Sequence, residues 1–515
     1  MKLLLIPFLA FLITTQLAYA QTKLEAYRPA IHFTPAKNWT NDPNGLLYYD
    51  GEYHIFYQYN PFGDGWGHMS WGHAISKDLL HWEHLPLAIP EFDNPDGKTQ
   101  TMIFSGSAVV DYGNKSQLCP SGTKDCLVAI YTGHVHKNGE ELEQRQNLAF
   151  SADKGRTWKQ YDHNPVLTLG TPSFRDPNVF WYEPQQKWVM TLVKPEIHTA
   201  MFYESKDLKS WTKTGQFGPQ GDTTKIWECP ALMQVPIENE PEKKKWVLYI
   251  SSGHQVDGFV GMQYFVGDYD GKTFILDKDN PQPANPKWGN AVDYGKDYYA
   301  AIQFNNLPRS ETKPVTIGWA LNWTYARETP TSPFRGAMTL PRQVSLKRTS
   351  QGLVLIQKPY TELARLKWTT LESVKTLSLN SQEKVLDKVK GDRLEIKVEL
   401  LPEQAQEIGL KLFKSGDEAT ILRYTDGKVQ FDRRKSGNVT FNPAFASVEE
   451  APVTLKNGAI KLHIIVDASI VEVYINDGEA VITDQVFSKS MNGNVSLYTQ
   501  GGKGSFKNLS VKKYE

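Results

Sequence analysis

Cysteine is scarce. The chain has 515 residues and 3 cysteines, at positions 119, 126 and 229. That is too few for a disulfide scaffold, and neither a Cys-x-x-Cys pair nor a His-Glu-x-x-His stretch marks a zinc site. Surplus charge is missing too. Lys+Arg and Asp+Glu both number 57, which argues against a nucleic acid partner, because a phosphate backbone selects an excess of Lys and Arg. Long apolar runs are absent after the first twenty residues, so no membrane insertion of the mature chain is expected. Long amphipathic helical patterns are rare between residues 30 and 345.

The single apolar run is N-terminal. Met1-Lys2 is followed by a stretch from Leu3 to Leu17, and Ala18-Tyr19-Ala20 matches a small-residue cleavage site. Residues 1–20 therefore read as a signal peptide, and the mature protein as exported to the periplasm or the extracellular space. Export permits a bridge between Cys119 and Cys126, which flank the turn Pro120-Ser121-Gly122 and would leave Cys229 unpaired.

Aromatic residues are plentiful at 12%, which suits strands and a surface that stacks on rings. Short β-branched and aromatic runs such as Tyr53–Tyr57, Leu127–Tyr131 and Trp246–Ile250 are broken by Gly, Pro, Asn and Asp. A weak motif recurs among them. Ser76-Lys77-Asp78-Leu79-Leu80-His81-Trp82 resembles Ser205-Lys206-Asp207-Leu208-Lys209-Ser210-Trp211, and Ser151 to Trp158 repeats it with one insertion. Gly267 to Phe274 is a degraded copy. Spacings that hold about four strands each suggest propeller blades. Five polar openings precede these blocks: Asn41–Gly45, Phe104–Ser107, Arg175–Asn178, Glu228–Pro230 and Asp293–Gly295. The expected fold is all-β, a five-bladed propeller over residues 21–355. A linker over 356–370 follows, and then an antiparallel sandwich over 371–515, where strands alternate and Asn476-Asp477-Gly478 marks a hairpin.

Asp42, Asp176 and Glu228 share a context. Each precedes a proline, directly or by one residue, and proline favours extended backbone in the residue before it. A propeller would aim all three into one funnel. Paired carboxylates are the equipment of glycoside cleavage, one attacking or activating water and one delivering a proton. Arg175 is expected to keep Asp176 ionised. Trp227 and Cys229 give Glu228 the less polar neighbourhood, which favours its protonated form. Trp39, Trp66, Trp71, Phe104, Trp227 and Trp319 lie near the openings, some to stack on sugar and some to pack between blades. His73 reads as a packed histidine. His134 and His136 alternate along a strand but lack a third ligand, so no metal site is expected.

These residues carry a resemblance. Trp39-Thr40-Asn41-Asp42-Pro43-Asn44-Gly45 resembles the sucrose-box motif of glycoside hydrolase family 32, the invertases, inulinases and levanases. Gln58-Tyr59-Asn60-Pro61, Trp71-Gly72-His73-Ala74, Phe104-Ser105-Gly106-Ser107, Arg175-Asp176-Pro177 and Glu228-Cys229-Pro230 follow in the family's order. Thr40 departs from the Met or Leu of many members. The resemblance implies a retaining hydrolase of β-D-fructofuranosides. It makes Asp42 the nucleophile, Glu228 the general acid/base and Asp176 the transition-state stabiliser. Asn41, Gln58, Trp66, Phe104, Ser105, Arg175, Asp293 and Trp319 match positions that line a fructose pocket, and no metal or organic cofactor is implied. Leu321–Ala326 and Pro330–Ala337 are most similar to the exo-acting branch, implying release of terminal fructose from levan or inulin with sucrose also cleaved. An endo-acting fructanase, a dedicated invertase, a fructosyltransferase and a non-catalytic fructan-binding protein are the alternatives.

Overall fold

The computed structural model describes residues 25, 27–252, 261–283 and 289–514. The expected signal peptide lies outside the described residues. Among the described residues no helix is long and apolar enough to cross a membrane.

Strands dominate because the chain alternates and is punctuated by turn residues, as the sequence suggests. In the first domain they form antiparallel blades. The first blade runs Asn38–Tyr49, Glu52–Asn60, Ser70–Ser76 and Trp82–Ile89, each strand pairing with the next. The second centres on Gln100–Tyr112, Asp125–Lys137 and Glu140–Ser151. The third is Arg175–Tyr182, Lys187–Lys194, Thr199–Ser205 and Thr212–Phe217. The fourth begins with Trp227–Ile237, Glu240–Ser252 and Gly261–Tyr269, and the fifth is built from Tyr299–Gln303, Val315–Trp319, Arg342–Thr349 and Gly352–Pro359. A single parallel pairing, Ile237 with Leu346, fuses the last two blades into one sheet. The first strand of each blade touches the first strand of the next, and the fifth returns to the first, so five inner strands close a ring. A short parallel pairing of Asn38 and Trp39 with Phe334 and Arg335 seals the seam.

The recurrent Ser-x-Asp motif is the turn between the third and fourth strands. Ser76 Oγ receives the Leu79 N–H while Asp78 Oδ1 receives those of Leu80 and His81. Ser205 and Asp207 repeat this with Leu208, Lys209 and Ser210. Ser151 and Asp153 use the same device for Gly155 and Thr157, and Asp270 retains half of it. Local side-chain to backbone bonds of this kind satisfy donors that a sheet leaves unpaired at its corner.

After a one-turn helix at Thr361–Arg365, two six-stranded sheets form the sandwich, beginning at Trp368. Its core of Leu394, Ile396, Leu410, Leu422, Ile464, Val473 and Leu497 is sealed from solvent. The domain junction is charged and dry. Arg342 of the propeller holds Asp293 at 2.8 Å and Glu472 of the sandwich at 3.2 Å, with no exposed side-chain surface. Arg433 of the sandwich pairs with Asp297 of the propeller at 2.6 Å. Buried ion pairs of this sort are costly to break from one side, since the partner is stranded without water. The N-terminal segment lies across the junction. His32 Nδ1 is 2.8 Å from Asp467 and Nε2 is 3.3 Å from Glu472. Cys119 and Cys126 are bridged, and Cys229 is free and buried.

Candidate active site

All five inner strands carry a register shift near their starting ends. The shifts fall between Thr40 and Pro43, Ile103 and Gly106, Arg175 and Asn178, Glu228 and Ala231, and Tyr299 and Ile302. A bulge turns a side chain out of the pleat and re-aims it. Here five bulges at one end of a ring aim Asp42, Ser105, Asp176, Glu228 and Tyr299. The backbone is left-handed at Asp176 (φ 63°), Cys229 (φ 45°) and Ala300 (φ 53°), a conformation that such residues adopt only when the surroundings enforce it. The extended backbone expected before Pro177 is therefore not found at Asp176, because the bulge overrides the local preference of a residue preceding proline. At Gly106 a β-carbon would stand 2.1 Å from the Ile130 carbonyl oxygen, so only glycine lets the second strand bend there.

Asp42 is nearly closed off and richly bonded. Ser105 Oγ donates to its Oδ2 at 2.6 Å and Asn41 Nδ2 to its Oδ1 at 3.0 Å. Trp39 Nε1 donates in turn to Asn41 Oδ1 at 2.8 Å, fixing that amide. Burial pushes Asp42 above the usual carboxylate range, the Ser105 and Asn41 bonds oppose this, and the charge of Glu228 adds to the rise. Asp176 accepts the Cys229 N–H at 2.9 Å. One sulfur joins the two carboxylates, since Cys229 Sγ lies 3.5 Å from Asp42 Oδ2 and 3.7 Å from Asp176 Oδ2. Glu228 is half-buried, whereas Asp42 and Asp176 are buried. Its Oε1 receives Arg175 Nη2 at 2.9 Å and its Oε2 receives the Tyr299 hydroxyl at 2.7 Å. The three acids thus cluster around Cys229, with Arg175 as their cation.

Two electrostatic expectations are corrected. Arg175 does favour an ionised Asp176, at 3.8 Å, but burial outweighs it and Asp176 is pushed up to about 7. Arg175 makes its shorter contact to Glu228, whose surroundings are polar rather than apolar. Trp227 is buried away from the acid, with Nε1 on the Asp222 carbonyl oxygen at 2.7 Å.

The binding residues divide. Trp66 is 36% exposed and meets Phe104 edge-on at 6.1 Å, forming an aromatic rim. Phe104 stacks on His134 at 4.2 Å with nearly parallel rings, which gives His134 its place. Gln58 is buried, donating to Asn44 Oδ1 and to the Ile103 carbonyl oxygen, so it ties the first two blades together. Trp319 does not line the pocket. It is fully buried and packs at 6.1 Å from Trp39 and 4.8 Å from Trp323, behind Asn41. Asp293 is likewise misplaced by the sequence reading. Its oxygens are taken by Arg342 Nη1 at 2.8 Å and by the Thr483 hydroxyl and N–H at 2.7 and 2.9 Å, inside the domain junction. The fifth inner strand contributes Tyr299 and Ala300 instead. Tyr299 was not distinguishable in sequence, because Tyr298-Tyr299-Ala300 reads as any aromatic strand. His73 is packed, 3.0 Å from His54 and stacked on Phe56.

Two family models match the chain, "Glycosyl hydrolases family 32 N-terminal domain" over residues 32–359 and "Glycosyl hydrolases family 32 C terminal" over 362–513. The chain belongs to glycosyl hydrolases family 32. It is 44% identical to a levanase of Bacillus subtilis over 496 residues, covering 95% of this chain and 70% of that protein. It is 35% identical to invertase 2 of Saccharomyces cerevisiae, covering 94% of each. The crystal structure of exo-inulinase from Aspergillus awamori superposes with a TM-score of 0.85 at 36% identity, covering 95% of this chain and 98% of that one. Membership in this family makes the chain a glycoside hydrolase with the propeller and sandwich described above.

Proposed function

We propose that the protein is an exported, retaining β-fructofuranosidase that removes terminal fructose from fructans and also cleaves sucrose. The observation that carries this reading is the convergence of Asp42, Asp176 and Glu228 on one bulged ring end, in a chain whose relatives are named for levan, inulin and sucrose cleavage. In the first step an Asp42 oxygen bonds the fructosyl anomeric carbon as the bond to the leaving oxygen breaks, and Glu228 gives that oxygen its proton. In the second step water attacks the same carbon, Glu228 takes the water's proton and Asp42 leaves as carboxylate. Asp176 holds ring hydroxyls and meets the positive charge that develops between the steps. The greater exposure of Glu228 suits a group that serves a leaving group and then water. Arg175 and Tyr299 both reach it and fix its direction.

The burial of Asp42 and Asp176, with the Trp66 and Phe104 pair nearby, suits a chain end rather than a chain interior, which favours exo-action over the endo-acting alternative. Time-resolved product analysis on levan, inulin and sucrose tests this. Fructose alone should appear from levan and inulin at the earliest times. A ladder of oligosaccharides would overturn exo-action, and hydrolysis of sucrose alone would leave a dedicated invertase.

A further inference from the structure

The inner strands that present the acids at one end present a second cavity at the other. Three of them reach it with their far ends: Phe180, Trp181 and Tyr182 of the third blade, Met233 and Gln234 of the fourth, and Gln303 of the fifth. The cavity measures about 480 Å³, within the ~300–1,000 Å³ range of small-molecule sites.

We propose that this cavity, on the propeller face opposite the acids, is a second carbohydrate site that takes a neutral fructosyl oligosaccharide.

Its walls offer aromatic surface. Trp181, Tyr182 and Trp246 are half-buried, and Trp246 lies 5.5 Å from Phe180 and 6.0 Å from Tyr182. Half-buried rings leave area available for the CH faces of a sugar. A buried acceptor waits beside them. Gln303 is 6% exposed, and its Nε2 is committed to Asn178 Oδ1 at 3.0 Å. Its Oε1 is sealed from solvent and has no partner among the described residues. A buried polar atom without a partner is costly, and turning this amide toward the cavity would let a ligand hydroxyl remove that cost. The charged groups of the wall, Glu183, Glu311 and Lys313, are each answered. Lys313 faces Glu238 at 3.8 Å, Glu311 accepts from Tyr360 and Gln343, and Glu183 accepts from Trp181 Nε1. With no unanswered charge of either sign, the cavity is unsuited to a phosphate or an acidic peptide and suited to a neutral polyol. The inference rests on the fructan reading, because a polymer held at one face is presented to the other at raised effective concentration.

The test uses the full chain. With Asp42→Ala, so that ligand is not consumed, calorimetric titration with the inulin-type trisaccharide 1-kestose should show two binding sites. Adding Gln234→Trp, which fills the cavity from an exposed wall position, should leave one. With Asp42 intact, Gln234→Trp should keep kcat/KM on sucrose and raise KM on long inulin by about tenfold. Trp246→Ala, checked for an unchanged unfolding midpoint, should act the same way. A single site in the Asp42→Ala chain, or an unchanged KM on long inulin in both cavity variants, would overturn the proposal. Absence of sucrose and fructan hydrolysis by the parent chain would instead defeat the functional reading, and the stoichiometry would still report on the cavity.

Discussion

Replacing His32 with Gln should remove a stabilisation that depends on pH in one direction only. The ring is fully buried with a carboxylate at each nitrogen, Asp467 at 2.8 Å and Glu472 at 3.3 Å. A neutral imidazole has one N–H and can satisfy one of them, whereas the imidazolium satisfies both. Burial opposes the charge, but the bonds to Asp467 and Glu472 and their negative charge outweigh it, and the group is raised from 6.5 to about 9. At about 1.4 kcal/mol for each unit, that shift corresponds to about 3 kcal/mol. The sign follows from the direction. The contribution is complete below pH 6.5, where both states bind the proton, and is lost as the pH rises through 9. The partners titrate elsewhere, since Glu472 is lowered to about 2 and Asp467 is also lowered, so their contributions fade only in acid. Unfolding midpoints in urea for parent and His32→Gln chains at pH 6, 7.5 and 9.5 measure the gap. It should shrink by about 1.4 kcal/mol per pH unit between 6.5 and 9. A gap independent of pH, or a ring seen by nitrogen-15 NMR to titrate at 6.5 or below, would refute the reasoning.

Asp42→Ala and Glu228→Ala should each fold normally and lose about 10²–10⁴-fold in turnover, and a trapped fructosyl adduct should map to Asp42 by mass spectrometry. Asp176→Asn should gain stability over the parent as pH rises. Burial raises Asp176 from 3.8 to about 7, so its favourable contribution is complete below 3.8 and lost through 7, a swing of up to about 4 kcal/mol. Denaturant midpoints that move in parallel from pH 4 to pH 8 would contradict this. A fragment ending at Pro359 should be insoluble or inactive, because it leaves Arg342, Asp293 and Asp297 without their sandwich partners. Recovery of a soluble, active fragment would show that the junction is dispensable.

The acids of the candidate site were legible because their motifs are local, with a proline one or two residues after each acid. The repeated Ser-x-Asp turn was legible for the same reason, being closed by bonds across three or four residues. What escaped is what depends on distant partners. Asp293 looks like any other polar opening until Arg342 and Thr483 arrive from elsewhere in the chain. Trp319 looks like a stacking platform until Trp39 and Trp323 cover it. The polarity around Glu228 is set by Arg175 and Tyr299, each from another blade, and not by Trp227 and Cys229 beside it. The left-handed backbone at Asp176 runs against the preference that its proline imposes, and only the closed ring supplies the force that holds it there.

The seam between Asn38 and Phe334 bears on how the protein is made. The strand Asn38–Tyr49 must wait for one of the last pieces of the first domain before its start is paired on that side. The residues just ahead of that strand wait longer still, until Asp467 has been synthesised. Nascent chains therefore carry an open β-edge at Asn38 and Trp39 until residues 334 and 335 have been made.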